Sequence, residues 1–222
     1  SALSAMIAAN KHVNEGSRVL VLGGAGGLGT FFIQMAKQKG ASYVAVTSTT
    51  TDKKWLLELG ADKVINYQKE TWVEDEEFLS SLSGERYDLI VDLAVGKAAW
   101  LQVNRFKLLD KHGTFLAIIM DKPLVEMHNL RQAIAAMAPG YLRMIRTKLS
   151  PFSPRYIWHE NGLELKPGRL KEVARLVDDE GLKIVLHSGT LLPFSEQGVK
   201  RGFHVMQRRH AHGKVVISIS EG

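Results

Sequence analysis

Seven residues constrain this chain more than any others: Gly23-Gly24-Ala25-Gly26-Gly27-Leu28-Gly29. They follow an apolar run, Arg18–Leu22, and open an amphipathic stretch, Gly29–Lys39. Within them Gly24-x-Gly26-x-x-Gly29 has the spacing of a dinucleotide-binding turn. Small residues let the chain turn tightly and let its backbone approach a pyrophosphate. The following helix supplies amides and the positive end of its dipole, and Gly29 permits close packing of helix on strand. A glycine pattern alone also describes a flexible surface turn. The strand before it, the helix after it and a second strand at the right distance favour the nucleotide site.

The periodicity of the whole chain agrees. Short runs predict strands at Arg18–Leu22, Ser42–Thr47, Lys63–Asn66, Asp88–Asp92, Thr114–Ile119, Lys183–Leu186 and Lys214–Ile219. They are near-continuously apolar, as parallel strands buried on both faces should be. Helices are expected at Gly29–Lys39, Asp52–Leu59, Thr71–Leu82, Lys97–Leu109, Gly168–Glu180 and Ser195–Gln207, with Gly40, Gly60 and Gly113 as stops. This alternation predicts an α/β fold, a doubly wound parallel sheet of the Rossmann type. Residues 1–16 read as the end of a linking helix and 17–222 as the nucleotide-binding domain. A proline-punctuated interruption at about 121–167 has a helical middle from Leu124 to Lys148 and a cationic, aromatic end from Arg143 to Trp158. A stretch of this length predicts a lid, a binding element or an interface.

The second strand bears on which nucleotide is bound. An NAD site carries an acid near its end for the ribose hydroxyls, but here the chain reads Val46-Thr47-Ser48-Thr49-Thr50-Thr51-Asp52-Lys53-Lys54. Hydroxyl and ammonium donors suit a 2′-phosphate, so NADPH is expected over NADH. Asp52 is assigned to the first helical turn, where the dipole stabilises an acid. The alternative is a threonine-rich helix cap with solvated lysines. The missing acid also argues against a methyltransferase. No tyrosine has lysine four positions on, as a short-chain dehydrogenase needs, and neither a Gly-Lys-Ser/Thr phosphate loop nor a Gly-x-Ser-x-Gly elbow is present.

Composition removes further classes. Cysteine is absent, which excludes disulfides, thiolate nucleophiles and Cys-containing zinc sites. No apolar run approaches the roughly 20 residues of a membrane span. The 29 Lys and Arg against 23 Asp and Glu are interleaved, which fits a solvated surface with a local anion site better than a nucleic-acid groove.

The motifs themselves carry a resemblance. Val19 to Thr30, Ile33-Gln-Met-Ala-Lys37, Leu59-Gly-Ala-Asp-Lys-Val-Ile-Asn-Tyr67, Tyr87-Asp-Leu-Ile-Val-Asp92, Leu192-Pro-Phe-Ser195 and His210-Ala-His-Gly-Lys-Val-Val-Ile217 resemble the medium-chain dehydrogenase/reductase superfamily. They are most similar to its zinc-independent quinone oxidoreductase branch. Arg155-Tyr-Ile-Trp158 resembles the reticulon-interacting mitochondrial oxidoreductase subgroup. The resemblance implies hydride transfer from NADPH to a quinone or an α,β-unsaturated carbonyl. It implies too that a GroES-like catalytic domain of the same gene product is missing here, and that this fragment alone is inactive. It allows a homodimer built by extending the sheet. Both the cytoplasm and the mitochondrion stay open as compartments, since a transit peptide would precede Ser1.

The resemblance also implies site residues. The amides of Ala25, Gly26, Gly27 and Leu28 would hold the pyrophosphate. Thr49, with Ser48 and Lys53, would hold the 2′-phosphate. Tyr67 would reach the same phosphate or the adenine, or else pack under the sheet edge. Leu93 would act through its backbone, and His159 and Asn161 would return to the nicotinamide. His210, Ala211 and His212 would bind the cofactor or form a surface turn, and Lys214 is expected to support that turn. No catalytic residue and no metal ligand is assigned. Two rival readings remain: a non-catalytic NADPH-binding interaction or assembly module, and, ranked last, an RNA binder.

Overall fold

The computed structural model describes residues 1–48, 53–68, 84–121, 128–150, 152–158, 168–208 and 211–219. Six strands form one sheet: β1 (Arg18–Leu22), β2 (Tyr43–Ser48), β3 (Lys63–Asn66), β4 (Tyr87–Asp92), β5 (Leu109–Ala117) and β6 (Arg155–Trp158). Their order is β3-β2-β1-β4-β5-β6, and every neighbouring pair is parallel. This is the doubly wound Rossmann sheet. Alternate residues of one strand feed opposite cores. Val19 and Val21 pack on one face with Phe32, Val44 and Val91. Leu20 and Leu22 pack on the other with Ile90, Phe115 and Tyr156.

The helices are α1 (Ala2–His12), α2 (Gly29–Gln38), α3 (Lys53–Glu58), α4 (Lys97–Arg105), α5 (Leu130–Leu149), α6 (Arg169–Asp178) and α7 (Glu196–Gln207). Helix α1 buries Ala5, Met6, Ile7, Ala8 and Ala9 and packs against α2 and α6. A second, two-stranded parallel sheet joins β7 (Leu192–Pro193) to β8 (Ile217–Ser218).

Four expectations need correction. Arg155–Trp158 is the sixth strand of the main sheet rather than the end of an interruption, pairing with Thr114 to Ala117 of β5. Lys183–Leu186 is not a strand. The Gln34 side chain holds that segment instead, donating to the Lys183 carbonyl at 3.0 Å and accepting from its amide at 2.8 Å. Of Lys214–Ile219 only Ile217–Ser218 is strand, with isolated bridges from Gly213 to Gly26 and from Lys214 to Leu186. Gly113 lies inside β5 and stops no helix; α4 ends at Arg105, and Lys107 takes the left-handed conformation at φ 51°. The expected helix Thr71–Leu82 and the Asp52 assignment lie outside the described residues.

Helix α5 is tied to the sheet by polar contacts. The Arg143 guanidinium grips Asp121 through two bonds of 2.8 and 2.9 Å and lies 4.6 Å over the Tyr156 ring. Hydrogen bonding to Asp121 holds Arg143 above its ordinary pKa. The Thr147 hydroxyl accepts from the Tyr156 amide at 3.0 Å. At Gly140 a Cβ would come within 3.2 Å of the Trp158 ring, which explains the close approach of helix to strand.

Candidate functional site

The glycine turn is built as a backbone cradle. The Gly23 amide donates to the Thr47 hydroxyl at 3.1 Å and the Gly24 amide to the Thr47 carbonyl at 3.0 Å, so β2 fixes where the turn leaves β1. A Cβ on Gly24 would collide with Val46, and one on Gly29 would sit 2.6 Å from Gly24 Cα. These two glycines exist for packing. Gly26 differs, since a Cβ there would meet only the Gly23 carbonyl at 3.6 Å and its outer face is open. Among the described residues the Gly27 amide faces the Gly213 carbonyl in the Gly26–Gly213 bridge, whereas the amides of Ala25 and Leu28 donate to no protein acceptor. They are available to an anion at the start of α2. Thr30, in the first turn of α2, is fully buried and its hydroxyl has no protein partner.

A cavity of about 560 Å³ opens over this turn, within the range of small-molecule sites. It lies outside the carboxyl ends of four strands. Gly23 follows β1, Ser48 ends β2, Tyr67 follows β3, and Leu93 and Ala94 follow β4. The strand order reverses between β1 and β4, and open α/β sheets bind ligands at that crevice. The far wall comes from α7 (Phe203 and Met206) and from the C-terminal segment Ala211 to Val215.

That segment is pinned to the turn. The Gly213 amide donates to the Ala25 carbonyl at 2.8 Å, and the Lys214 amide to the Val185 carbonyl at 2.7 Å. Gly213 has φ 78°, and a Cβ there would strike the Val185 carbonyl at 2.3 Å, so glycine is required on both counts. The His212 amide donates to His187 Nδ1 at 3.2 Å, which holds the 211–213 stretch from its other side. The Lys214 stem lies across Gly27, where a Cβ would be 2.8 Å from Lys214 Cδ. Its ammonium reaches the Ser1 hydroxyl at 2.9 Å, and among the described residues it has no carboxylate partner.

The loop after β4 is fixed by Asp92, which is fully buried. Its carboxylate accepts from the amides of Ala94 at 3.0 Å, Val95 at 2.8 Å and Gly96 at 2.6 Å. Gly23 and Ala94 then meet so closely that a Cβ on Gly23 would lie 2.7 Å from Ala94 Cβ. Asp92 therefore sets the cavity floor without lining it.

Nine of the residues expected from sequence line this one cavity: Ala25, Gly26, Gly27, Leu28, Ser48, Tyr67, Leu93, Ala211 and His212. Lys53 is exposed at the start of α3 and does not line it. Thr49, His159, Asn161 and His210 lie outside the described residues. Sequence reasoning missed Asp92, Phe203, Met206 and the place of Lys214. An acid ending a strand four residues before Gly96 was an available signal for Asp92, and the i, i+3 apolar pair Phe203 and Met206 signalled a wall. Nothing in the sequence announced Gln34 as a clamp.

Residues 59–217 match the family model described as zinc-binding dehydrogenase. The chain belongs to that family. It is thereby a member of the medium-chain dehydrogenase/reductase superfamily, in agreement with the sheet order and the glycine turn. The mouse mitochondrial NAD(P)H oxidoreductase RTN4IP1 is 32% identical over 206 residues, covering 92% of this chain and 48% of that protein. The chloroplastic NADPH-dependent alkenal/one oxidoreductase of Arabidopsis thaliana is 29% identical, covering 92% and 41%. The chain thus spans about half the length of the curated relatives it matches. The solved quinone oxidoreductase of Coxiella burnetii superposes with a TM-score of 0.67 at 23% identity, over 98% of this chain and 58% of that one; this likeness concerns the fold. Among the described residues no group of three or more His, Asp or Glu is arranged to hold a metal.

Proposed function

We propose that this chain is the NADPH-binding part of a zinc-independent oxidoreductase that reduces quinones or α,β-unsaturated carbonyls. One observation carries the reading. Two unengaged turn amides, the Ser48 hydroxyl, Tyr67 and the Lys214 ammonium converge on one cavity at the reversal point of the sheet. The donor set fits a dinucleotide with a phosphorylated ribose. The amides of Ala25 and Leu28, with Lys214, would meet the pyrophosphate, which the missing side chains of Gly26 and Gly27 let approach the backbone. Ser48, followed in the sequence by Thr49 and Lys53, would meet the 2′-phosphate, and β2 itself closes on a hydroxyl rather than a carboxylate. The 211–213 segment and Leu93 would border the nicotinamide half, joined by His159, Asn161 and His210.

When bound, the cofactor supplies the hydride. This chain's contribution is to neutralise the phosphates, to orient the ring through the backbone of Leu93 and the 211–213 segment, and to exclude water with Phe203 and Met206. The chloroplastic relative is named an NADPH-dependent alkenal/one oxidoreductase, which supports an acceptor of that chemistry in the complete protein. The relatives named mitochondrial support that compartment.

The test is NADPH oxidation by the complete gene product, followed by absorbance with a small quinone and separately with an enone. Turnover of either, lost on Gly27→Val with the fold intact, is the expected result. NADPH binding with no turnover of either acceptor would overturn the enzyme reading in favour of a binding module.

A further inference from the structure

Helix α5 presents a second apolar face that the fold does not use. Its inner side packs on β6 through Gly140, Tyr141, Met144 and Thr147. On the opposite side Leu130, Ile134, Leu142, Ile145 and Leu149 recur at spacings of three, four and eight, which places them on one helical stripe. They are between 52% and 79% exposed, and Phe152, just past the helix, is 90% exposed. A stripe of this kind over a 20-residue helix is about 30 Å long, and isolated exposed leucines do not line up in this way.

The charges around the stripe indicate what covers it. From His128 to Trp158 the sequence contains no Asp or Glu. Exposed Arg146 and Lys148 flank the stripe on its two sides, Arg131 stands at its N-terminal end and Arg155 just beyond its C-terminal end. Arg143 is the one cation here that points inward, to Asp121. An apolar ridge bordered by cations, with no acid among them, matches an anionic lipid surface, in which apolar side chains enter the acyl boundary while basic ones meet the headgroups. Among the described residues no helix is long and apolar enough to cross a membrane, so the contact would be peripheral.

We infer that the outer face of α5 docks this protein onto anionic membrane surfaces. The geometry places the stripe on the far edge of the sheet from β3, beside β6, while the cavity opens at the β1–β4 reversal. Docking would leave the cavity open to water. The inference is independent of the proposed cofactor, since it uses none of the cavity residues.

The experiment is flotation of the full chain with vesicles of 30% phosphatidylglycerol in phosphatidylcholine and with pure phosphatidylcholine, at low and moderate salt. The expected result is binding to the anionic vesicles, at least tenfold weaker to neutral ones and weakened by salt. Two surface variants, Ile134→Gln with Leu142→Gln and Arg146→Glu with Lys148→Glu, should each reduce it about tenfold while circular dichroism and thermal midpoint stay unchanged. Failure to float with anionic vesicles would overturn the inference. So would binding unaffected by both variants, or variants that convert a dimer to monomer without altering flotation, which would assign the stripe to a second copy.

Discussion

The Gly213 amide and the Ala25 carbonyl, 2.8 Å apart, join the C-terminal segment to the glycine turn across 188 positions of sequence. This bond, with the Gly26–Gly213 bridge, makes one wall of the cavity out of two ends of the chain. Gly213→Ala would force a Cβ onto the Val185 carbonyl and strain a left-handed backbone. It should cost about 1–3 kcal/mol of stability and weaken NADPH binding more than Gly16→Ala. Gly16 has a similar φ with open space around it. Thermal melts and a cofactor titration of both variants check this.

Asp92 anchors the loop after β4. Its two oxygens accept three amides in a fully buried site. Asparagine keeps the shape but turns an NH2 toward an N–H, leaving a buried donor unsatisfied. Asp92→Asn should lose about 2–3 kcal/mol. Because Leu93 and Ala94 would relax, nicotinamide fluorescence on binding should change as well. Unaltered stability would show that the loop holds itself.

Lys214 lies over Gly27 with no acidic partner among the described residues. Lys214→Met keeps most of the stem and removes the charge. NADPH affinity should fall roughly tenfold, about 1.4 kcal/mol, and its dependence on salt should become shallower. An affinity unchanged at low salt would return Lys214 to a purely supporting place.

Burial pushes the Tyr87 phenol far above its ordinary value of 10.0, with Tyr43 adding to the shift, and burial raises Tyr43 and Tyr156 too. These groups stay neutral in the fold and ionise near pH 10 when unfolded. Their contribution to stability is therefore complete below pH 10 and is lost as pH rises from there toward the folded values. Urea unfolding between pH 8.5 and 11 should show the decline, up to about 1.4 kcal/mol per pH unit from Tyr87, with smaller contributions in the same direction from the other two. Tyr87→Phe should make the profile shallower.

The sheet was legible because buried parallel strands are nearly continuous apolar runs. β1, β3 and β4 stand within a residue of where Arg18–Leu22, Lys63–Asn66 and Asp88–Asp92 were expected. β6 was hidden by its four residues, its leading Arg155 and the prolines at 151 and 154. Lys183–Leu186 had strand composition, yet Gln34, 149 positions away, takes both backbone groups of Lys183, and only Val185 and Leu186 meet the backbone around Lys214. No local pattern encodes that. The site follows the same division. The glycine turn and the His-Ala-His-Gly segment were readable as motifs, whereas Phe203 and Met206 became a wall only because α7 folds back over the turn.

The proposed function requires that the cavity over the glycine turn take NADPH. Calorimetric titration of this chain with NADPH and with NADH, alongside Ser48→Asp, measures this. Ser48 is buried at the end of β2 and borders the cavity, where a carboxylate would repel a 2′-phosphate and accept ribose hydroxyls. Saturable NADPH binding at least tenfold tighter than NADH is expected, with that preference erased or reversed in Ser48→Asp. Equal affinity for both nucleotides, untouched by the substitution, would contradict the proposed function.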